Sequence, residues 1–191
     1  MASSRAAQRT SQILVSVGSG SSAHVVLVAK QANGTWATIT QGWGHVGSAG
    51  IGTASESSTA TPAGVWPLVS AFGSAGNPGS ALPYRAITPS SCYISDSNDP
   101  AYNTWQERPG CANPNERMAD YPVQYAYGMV MGYNQARTPG AGSAFFVHVD
   151  NGAPTAGCVS VPAEMMVTLL RTIQPGALIA NVTSTAALAN I

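Results

Sequence analysis

The chain predicts a mainly β domain with one substantial helix. Three observations carry that expectation. Short β-branched and aromatic runs recur along the 191 residues. Clusters of Gly, Pro, Asn, Asp and Ser separate them. Only one segment, after Pro162, repeats its apolar residues at a helical interval. Residues 1–11 are polar and rich in Ser and Ala, and read as a loose N-terminal arm. Ile13–Val17 and His24–Lys30 read as strands, and Asn33-Gly34 carries the hairpin signal between the second and a third strand over Thr35–Gln41. Gly42 to Gly52 is dense in glycine, which marks bends or close backbone approach rather than a packed element. Val65–Leu68 follows a Thr61-Pro62-Ala63-Gly64 turn as a short strand, and residues 70–120 read mostly as loop. Tyr127–Tyr133 and Ser143–Val149 are strand-like, joined by a loop over Asn134 to Gly142. Pro162 suits the first helical position and Glu164 the first turn. Met166, Leu169, Leu170 and Ile173 form one apolar face, Pro175-Gly176 ends the helix, and Ala177–Val182 is a last strand. The expected organisation is an arm over 1–11 and a single domain over 12–191, with a loop insertion around 84–120.

Charge narrows the function. Charged residues make up 8%, with Lys+Arg and Asp+Glu balanced at 8 each and Lys30 the only lysine. Such a chain has no electrostatic footprint for nucleic acid or an anionic membrane, so neither partner is expected. No apolar run approaches the roughly 20 residues of a membrane span. Arg5 and Arg9 before the short Ile13–Val17 run make a poor signal peptide. The glycines after Gly42 lack a following Gly-Lys-Ser/Thr, so no phosphate loop is expected. His24 and His45 match no metal spacing, and neither metal nor cofactor is expected.

Cysteines fall at 92, 111 and 158. The odd count suggests one pair and one free thiol. Cys92 and Cys111 bracket a stretch full of turn formers, which a bridge would close, contributing on the order of 3 kcal/mol; three buried reduced thiols is the alternative. Cys158 sits elsewhere. A strand ends near His148, Asn151-Gly152 and Pro154 force a turn, and Gly157 precedes Cys158 shortly before the helix. A nucleophilic thiol needs a base, partial exposure and backbone donors for the oxyanion. His148 can be the base, and the amides of Gly157 and Cys158 the donors. The acceptor fixing the imidazole tautomer is either the Val149 carbonyl or the Asp150 carboxylate. The competing possibility is a small buried cysteine beside an ordinary strand histidine.

These residues resemble a known family, the L,D-transpeptidase catalytic (YkuD-type) domain. Its pattern is a strand-borne His, a turn, then Ser/Thr-x-Gly-Cys, seen here as His148 and Thr155-Ala156-Gly157-Cys158. Thr61-Pro62-Ala63-Gly64-Val65-Trp66-Pro67 resembles the family's Thr-Pro-x-Gly-x-aromatic-Pro segment. Gly128–Asn134 and Gly142–His148 resemble its paired strands. The resemblance implies a β-sandwich or barrel with one helix after the cysteine, Cys158 as nucleophile, His148 as base and then acid, and the Val149 carbonyl as its orienting acceptor. Peptidoglycan stem peptides would be the substrates, with a thioester intermediate and an amine acceptor. It also implies an exported protein of the cell wall, periplasm or exterior, and a monomer is expected. Thr155, Tyr133, Asn134 and Arg85 are the expected substrate contacts, and the Cys92–Cys111 loop a lid, with Tyr84, Trp105, Glu116 and Arg117 either near substrate or simply packed and solvated. Ala156 and Ser160 stand where many members have His and Arg or Asn, which leaves acyl donor and acceptor open. Two other functions compete: a carboxypeptidase or amidase using water on the same stems, and a non-catalytic cell-wall binding module.

Overall fold

The computed structural model describes residues 4–190. Where a loose arm was expected, Arg5–Arg9 form a short helix, α1, capped by the Ser4 hydroxyl, which accepts from the Ala7 amide at 3.2 Å. Ala6 and Ala7 are buried against the sheet, so small apolar side chains hold the segment down despite its polar composition. Residues 1–3 of the expected arm lie outside the described residues.

The strands are β1 (Gln12–Ser19), β2 (Ser22–Lys30), β3 (Trp36–His45), β4 (Ile51–Gly52), β5 (Thr61–Pro62), β6 (Gly64–Gly73), β7 (Tyr84–Ala86), β8 (Ser91–Tyr93), β9 (Trp105–Glu107), β10 (Glu116–Arg117), β11 (Gly128–Met131), β12 (Phe146–Val149), β13 (Val159–Val161) and β14 (Leu178–Val182). The long helix is α2 (Ala163–Thr172), with Pro162 just outside it as N-cap rather than as its first residue. One sheet runs in the order β13-β12-β11-β6-β14-β1-β2-β3, with β7 added beside β6. Its ends meet: a Cβ placed on Gly44 of β3 would lie 1.9 Å from the Ser160 carbonyl oxygen of β13, so the sheet curls into a nearly closed barrel. Glycine density after Gly42 thus does mark close approach, yet β3 runs on through it to His45. The stretch expected to be mostly loop contains a small sheet, β10-β8-β9.

Strand alternation decides which side chains meet. Leu14, Leu27, Met129, Val147, Val149, Val159, Val161 and Ile179 point inward. Helix α2 closes this interior with Met166, Leu169 and Leu170, joined by its C-cap residue Ile173, all fully buried. Burying each stabilises by about 1.5–3 kcal/mol. Ile13, Val15, Leu178 and Ala180 point the other way, under α1 and the 3-10 turn Thr185–Asn190. On β12 the outward side chains are Phe146 and His148. Phe146 packs with Phe72, Tyr93, Met118, Tyr125 and Cys158 beneath the insertion.

The insertion is tied by a Cys92–Cys111 disulfide, Cα atoms 5.7 Å apart, leaving Cys158 as the free thiol. Among the described residues no helix is long and apolar enough to cross a membrane.

Candidate active site

Strands β12 and β13 run parallel, with His148 opposite Ser160. Inward Val147 and Val159 therefore leave His148 and Cys158 on the same outer face. Both line a cavity of about 520 Å³, together with Tyr121, Gln124, Tyr125, Asn113–Glu116 from the insertion and Ser55–Thr59 from the loop before β5.

The tautomer of His148 is fixed by the backbone. Its Nδ1 lies 2.8 Å from the Val149 carbonyl oxygen. A carbonyl only accepts, so Nδ1 carries the proton and Nε2 keeps its lone pair. Burial holds the ring's pKa below its ordinary value, partly offset by the Val149 bond and the nearby Asp150 charge. The ring is neutral at pH 7 and stands edge-on to Tyr125, centroids 5.6 Å apart. Asp150, the other expected acceptor, does not reach it. Its Oδ1 accepts from His45 Nδ1 at 2.7 Å and Ser160 Oγ at 2.6 Å, and its Oδ2 from the Gly152 amide at 3.1 Å. Burial raises the Asp150 pKa, and these bonds outweigh it, leaving the carboxylate below its usual range.

Cys158 is 8% exposed. Its sulfur accepts from the Phe146 amide at 3.3 Å and donates to the Ala144 carbonyl at 3.4 Å, and no hydrogen bond joins it to the His148 ring. Burial first, and the Glu116 charge second, push its pKa far above that of a free thiol. The resting sulfur is a protonated thiol. Ala144 itself holds a φ of 56°, an uncommon conformation for a residue with a side chain.

The turn before Cys158 is held from three sides. Val46 and Ser48 clamp Thr155 through paired backbone bonds of 3.0 and 2.9 Å. Thr155 Oγ1 donates to the Cys158 carbonyl at 2.6 Å and accepts from the Gly157 amide at 3.1 Å. Thr61 Oγ1 reaches the same carbonyl at 3.2 Å. The Gly157 N–H, expected as an oxyanion donor, is directed at Thr155 Oγ1 here. The Cys158 N–H has no partner among the described residues. Gly157 has a φ of 134°, and a Cβ there would meet Phe145 at 2.6 Å. Thr155 lines the cavity, but its hydroxyl is committed to the Cys158 carbonyl and the Gly157 amide.

Three expected substrate contacts lie elsewhere. Tyr133 packs edge-on against Trp66 and Phe145 and donates to the Ala141 carbonyl at 2.9 Å. Asn134, at φ 49°, spends its side chain on the Thr138 and Gly142 carbonyls and the Thr138 amide. Both build the Asn134–Gly142 loop. Arg85 lies over Trp105, 5.3 Å from the ring centroid, in a separate groove of about 390 Å³. Tyr84 donates to the Ala75 carbonyl at 2.7 Å, and Arg117 faces Asp120 at 3.6 Å. Of the insertion residues considered near substrate, Glu116 does line the cavity, held by the Tyr125 hydroxyl.

The sequence reading missed Tyr125, Thr61 as a support for the turn, and His45 as a scaffold contact. The Thr61-Pro62 motif could have flagged the second. Nothing local flags Tyr125, or His45, whose partner Asp150 is far away in the chain. Among the described residues no group of three or more His, Cys, Asp or Glu is placed to hold a metal.

No family model matches the chain, and no curated protein does. Among solved structures it is similar to the helical cell shape determining protein Pgp2 from Campylobacter jejuni, at 12% identity and a TM-score of 0.48, over 89% of this chain and 46% of that one. The chain thus spans about half the length of that structure.

Proposed function

We propose that this chain is a cysteine-dependent acyltransferase acting on peptidoglycan stem peptides, an L,D-transpeptidase of the YkuD type. The observation that carries this is that one cavity wall holds the Cys158 thiol and a neutral His148 whose Nδ1 is tied to the Val149 carbonyl at 2.8 Å.

The chemistry follows from those groups. As substrate enters, the Cys158 proton passes to His148 Nε2 and the sulfur attacks the carbonyl carbon, by the family resemblance that between a third-position diamino acid and D-alanine. The oxyanion takes the free Cys158 N–H. The C–N bond breaks, the amine of D-alanine leaves with the proton from His148, and a thioester remains. An acceptor amine then attacks, gives its proton to His148, and the C–S bond breaks with return of the proton to sulfur. Water in place of the amine makes the same site a carboxypeptidase. The disulfide supports an oxidising, exported location.

Mass spectrometry of the protein mixed with a carbapenem tests this. The expected result is a single covalent adduct, absent from Cys158→Ala. No adduct at any pH or concentration overturns the proposal. Product analysis with muropeptides separates the acceptors: cross-linked dimers support transpeptidation, trimmed monomers hydrolysis. A non-catalytic wall-binding module is the second reading, favoured by a resting sulfur bonded to Phe146 and Ala144 rather than to the imidazole. It requires binding to purified peptidoglycan with no adduct and no turnover.

A further inference from the structure

We propose that Glu116 is the specificity-determining residue of this cavity, the counter-charge for an ammonium group on the substrate. This rests on Cys158 being the nucleophile, as above, and adds what selects its substrate.

Glu116 sits on β10, paired with Tyr93 of β8, and lines the same cavity as Cys158 and His148. One carboxylate oxygen, Oε1, accepts from the Tyr125 hydroxyl. The other accepts from no described residue. Glu116 is half-buried on the cavity wall, and an anionic oxygen left unpaired there favours a cation. No Lys or Arg lines the cavity to supply one. Arg117, next on the strand, is exposed and faces Asp120. The other titratable groups around Glu116 are the phenols of Tyr93, Tyr121 and Tyr125, the Cys158 thiol and His148; Glu56, also on the cavity wall, is held by Tyr102. Every one of these is neutral or acidic while the imidazole is unprotonated.

Two consequences follow. A substrate with an ammonium near the scissile carbonyl is attracted, and one with a carboxylate there is repelled. The Glu116 charge also opposes thiolate formation at Cys158. A bound ammonium cancels that opposition, so the nucleophile is activated by the substrate it is meant to attack. In the free protein burial pushes the Glu116 carboxyl up to about 7, so it is part-protonated near neutrality and a bound cation would draw it to the charged form.

Methanethiosulfonate reagents of differing charge test this on the full chain, where Cys158 is the free thiol. The thiolate attacks the reagent's sulfenyl sulfur, a mixed disulfide forms and methanesulfinate leaves. Rates are taken for trimethylammonioethyl, sulfonatoethyl and methyl reagents, each normalised to a small free thiol. At about pH 7.5 the cationic reagent is expected to outrun the anionic one by about tenfold or more. Glu116→Gln is expected to cut that ratio by about fivefold or more and to speed the neutral reagent, while Glu56→Gln changes the ratio by less than about twofold. In the unmutated chain the ratio should fall as pH is lowered from about 8 to 6, which reads the proposal even where Glu116→Gln does not fold. A ratio near unity, or one unchanged in folded Glu116→Gln, overturns the inference. The two proposals fail separately: charge preference without a carbapenem adduct removes the acyl-transfer function alone, and an adduct without charge preference removes the role of Glu116 alone.

Discussion

Gly44→Ala isolates the contact that closes the barrel. Gly44 has no unusual φ, so the substitution costs nothing in backbone conformation. The added Cβ would lie 1.9 Å from the Ser160 oxygen, 2.8 Å from its carbonyl carbon and 3.2 Å from Val161 Cα. A C···O contact normally sits near 3.3 Å, so β3 and β13 must part by about 1.4 Å. Backbone lies on both sides, and no rotamer change relieves it. Separation pulls on the bonds from the His45 amide to Ser160 Oγ at 3.1 Å and from His45 Nδ1 to Asp150 at 2.7 Å. Overpacking of this kind costs about 3 kcal/mol or more. For a chain of this size that lowers Tm by about 6–12 °C. Gly52→Ala is the control, since its nearest neighbour would be Ala60 Cβ at an ordinary 3.9 Å. Urea unfolding of both variants reads the stability, and the iodoacetamide labelling rate of Cys158 reads whether β13 has moved. Gly44→Ala within about 1 kcal/mol of the unmutated chain, with Cys158 labelled at the same rate, would refute closure by this crossing.

Further outcomes follow from the same geometry. The double variant Cys92→Ser/Cys111→Ser opens a loop of 19 residues' separation and should lose about 3 kcal/mol in urea unfolding. Because burial holds His148 below its ordinary 6.5, the carbapenem acylation rate should not fall as pH drops to 6.5, only beneath it; a decline centred at or above 6.5 contradicts a buried base, and His148→Gln should slow acylation by about 100-fold or more. Glu116 has its carboxyl raised from 4.5 to about 7. A raised group lends stability below its unfolded pKa and loses it as pH climbs through the folded one. The stability advantage of Glu116→Gln over the unmutated chain should therefore grow between pH 4.5 and 7, at up to about 1.4 kcal/mol per unit, and parallel curves in that window count against the buried carboxyl.

Local chemistry made much of the fold legible. Alternation and Asn33-Gly34 mark the β2–β3 hairpin, and the period of Met166, Leu169, Leu170 and Ile173 marks α2. The pairing of Cys92 with Cys111 was open to inference because both sit in one turn-rich stretch. Contacts between distant segments were not legible. The arm's Ala6 and Ala7 are buried only because β1 and β14 come together beneath them. The strands inside the insertion are two or three residues long, too short for any periodicity to show. Tyr133 and Asn134 lie off the cavity for a related reason. Position at a strand end says a side chain is near a site, whereas facing is decided by loop geometry, such as the left-handed turn at Asn134.

The distribution of charge explains why a histidine and a cysteine on one wall can coexist with a resting thiol. Were Asp150 bonded to His148, the carboxylate would favour imidazolium and, through it, thiolate. Instead both Asp150 oxygens are occupied by His45, Ser160 and the Gly152 amide, and the ring is oriented by a neutral carbonyl. Ser160 thus belongs to the scaffold that takes Asp150 out of the relay. Burial disfavours both charged forms, the imidazolium and the thiolate. Under the proposed acyl transfer, whatever drives the proton from sulfur to Nε2 arrives with the substrate. Excluding water strengthens every charge interaction inside, and a cation set against Glu116 would offset a carboxylate charge that opposes the thiolate.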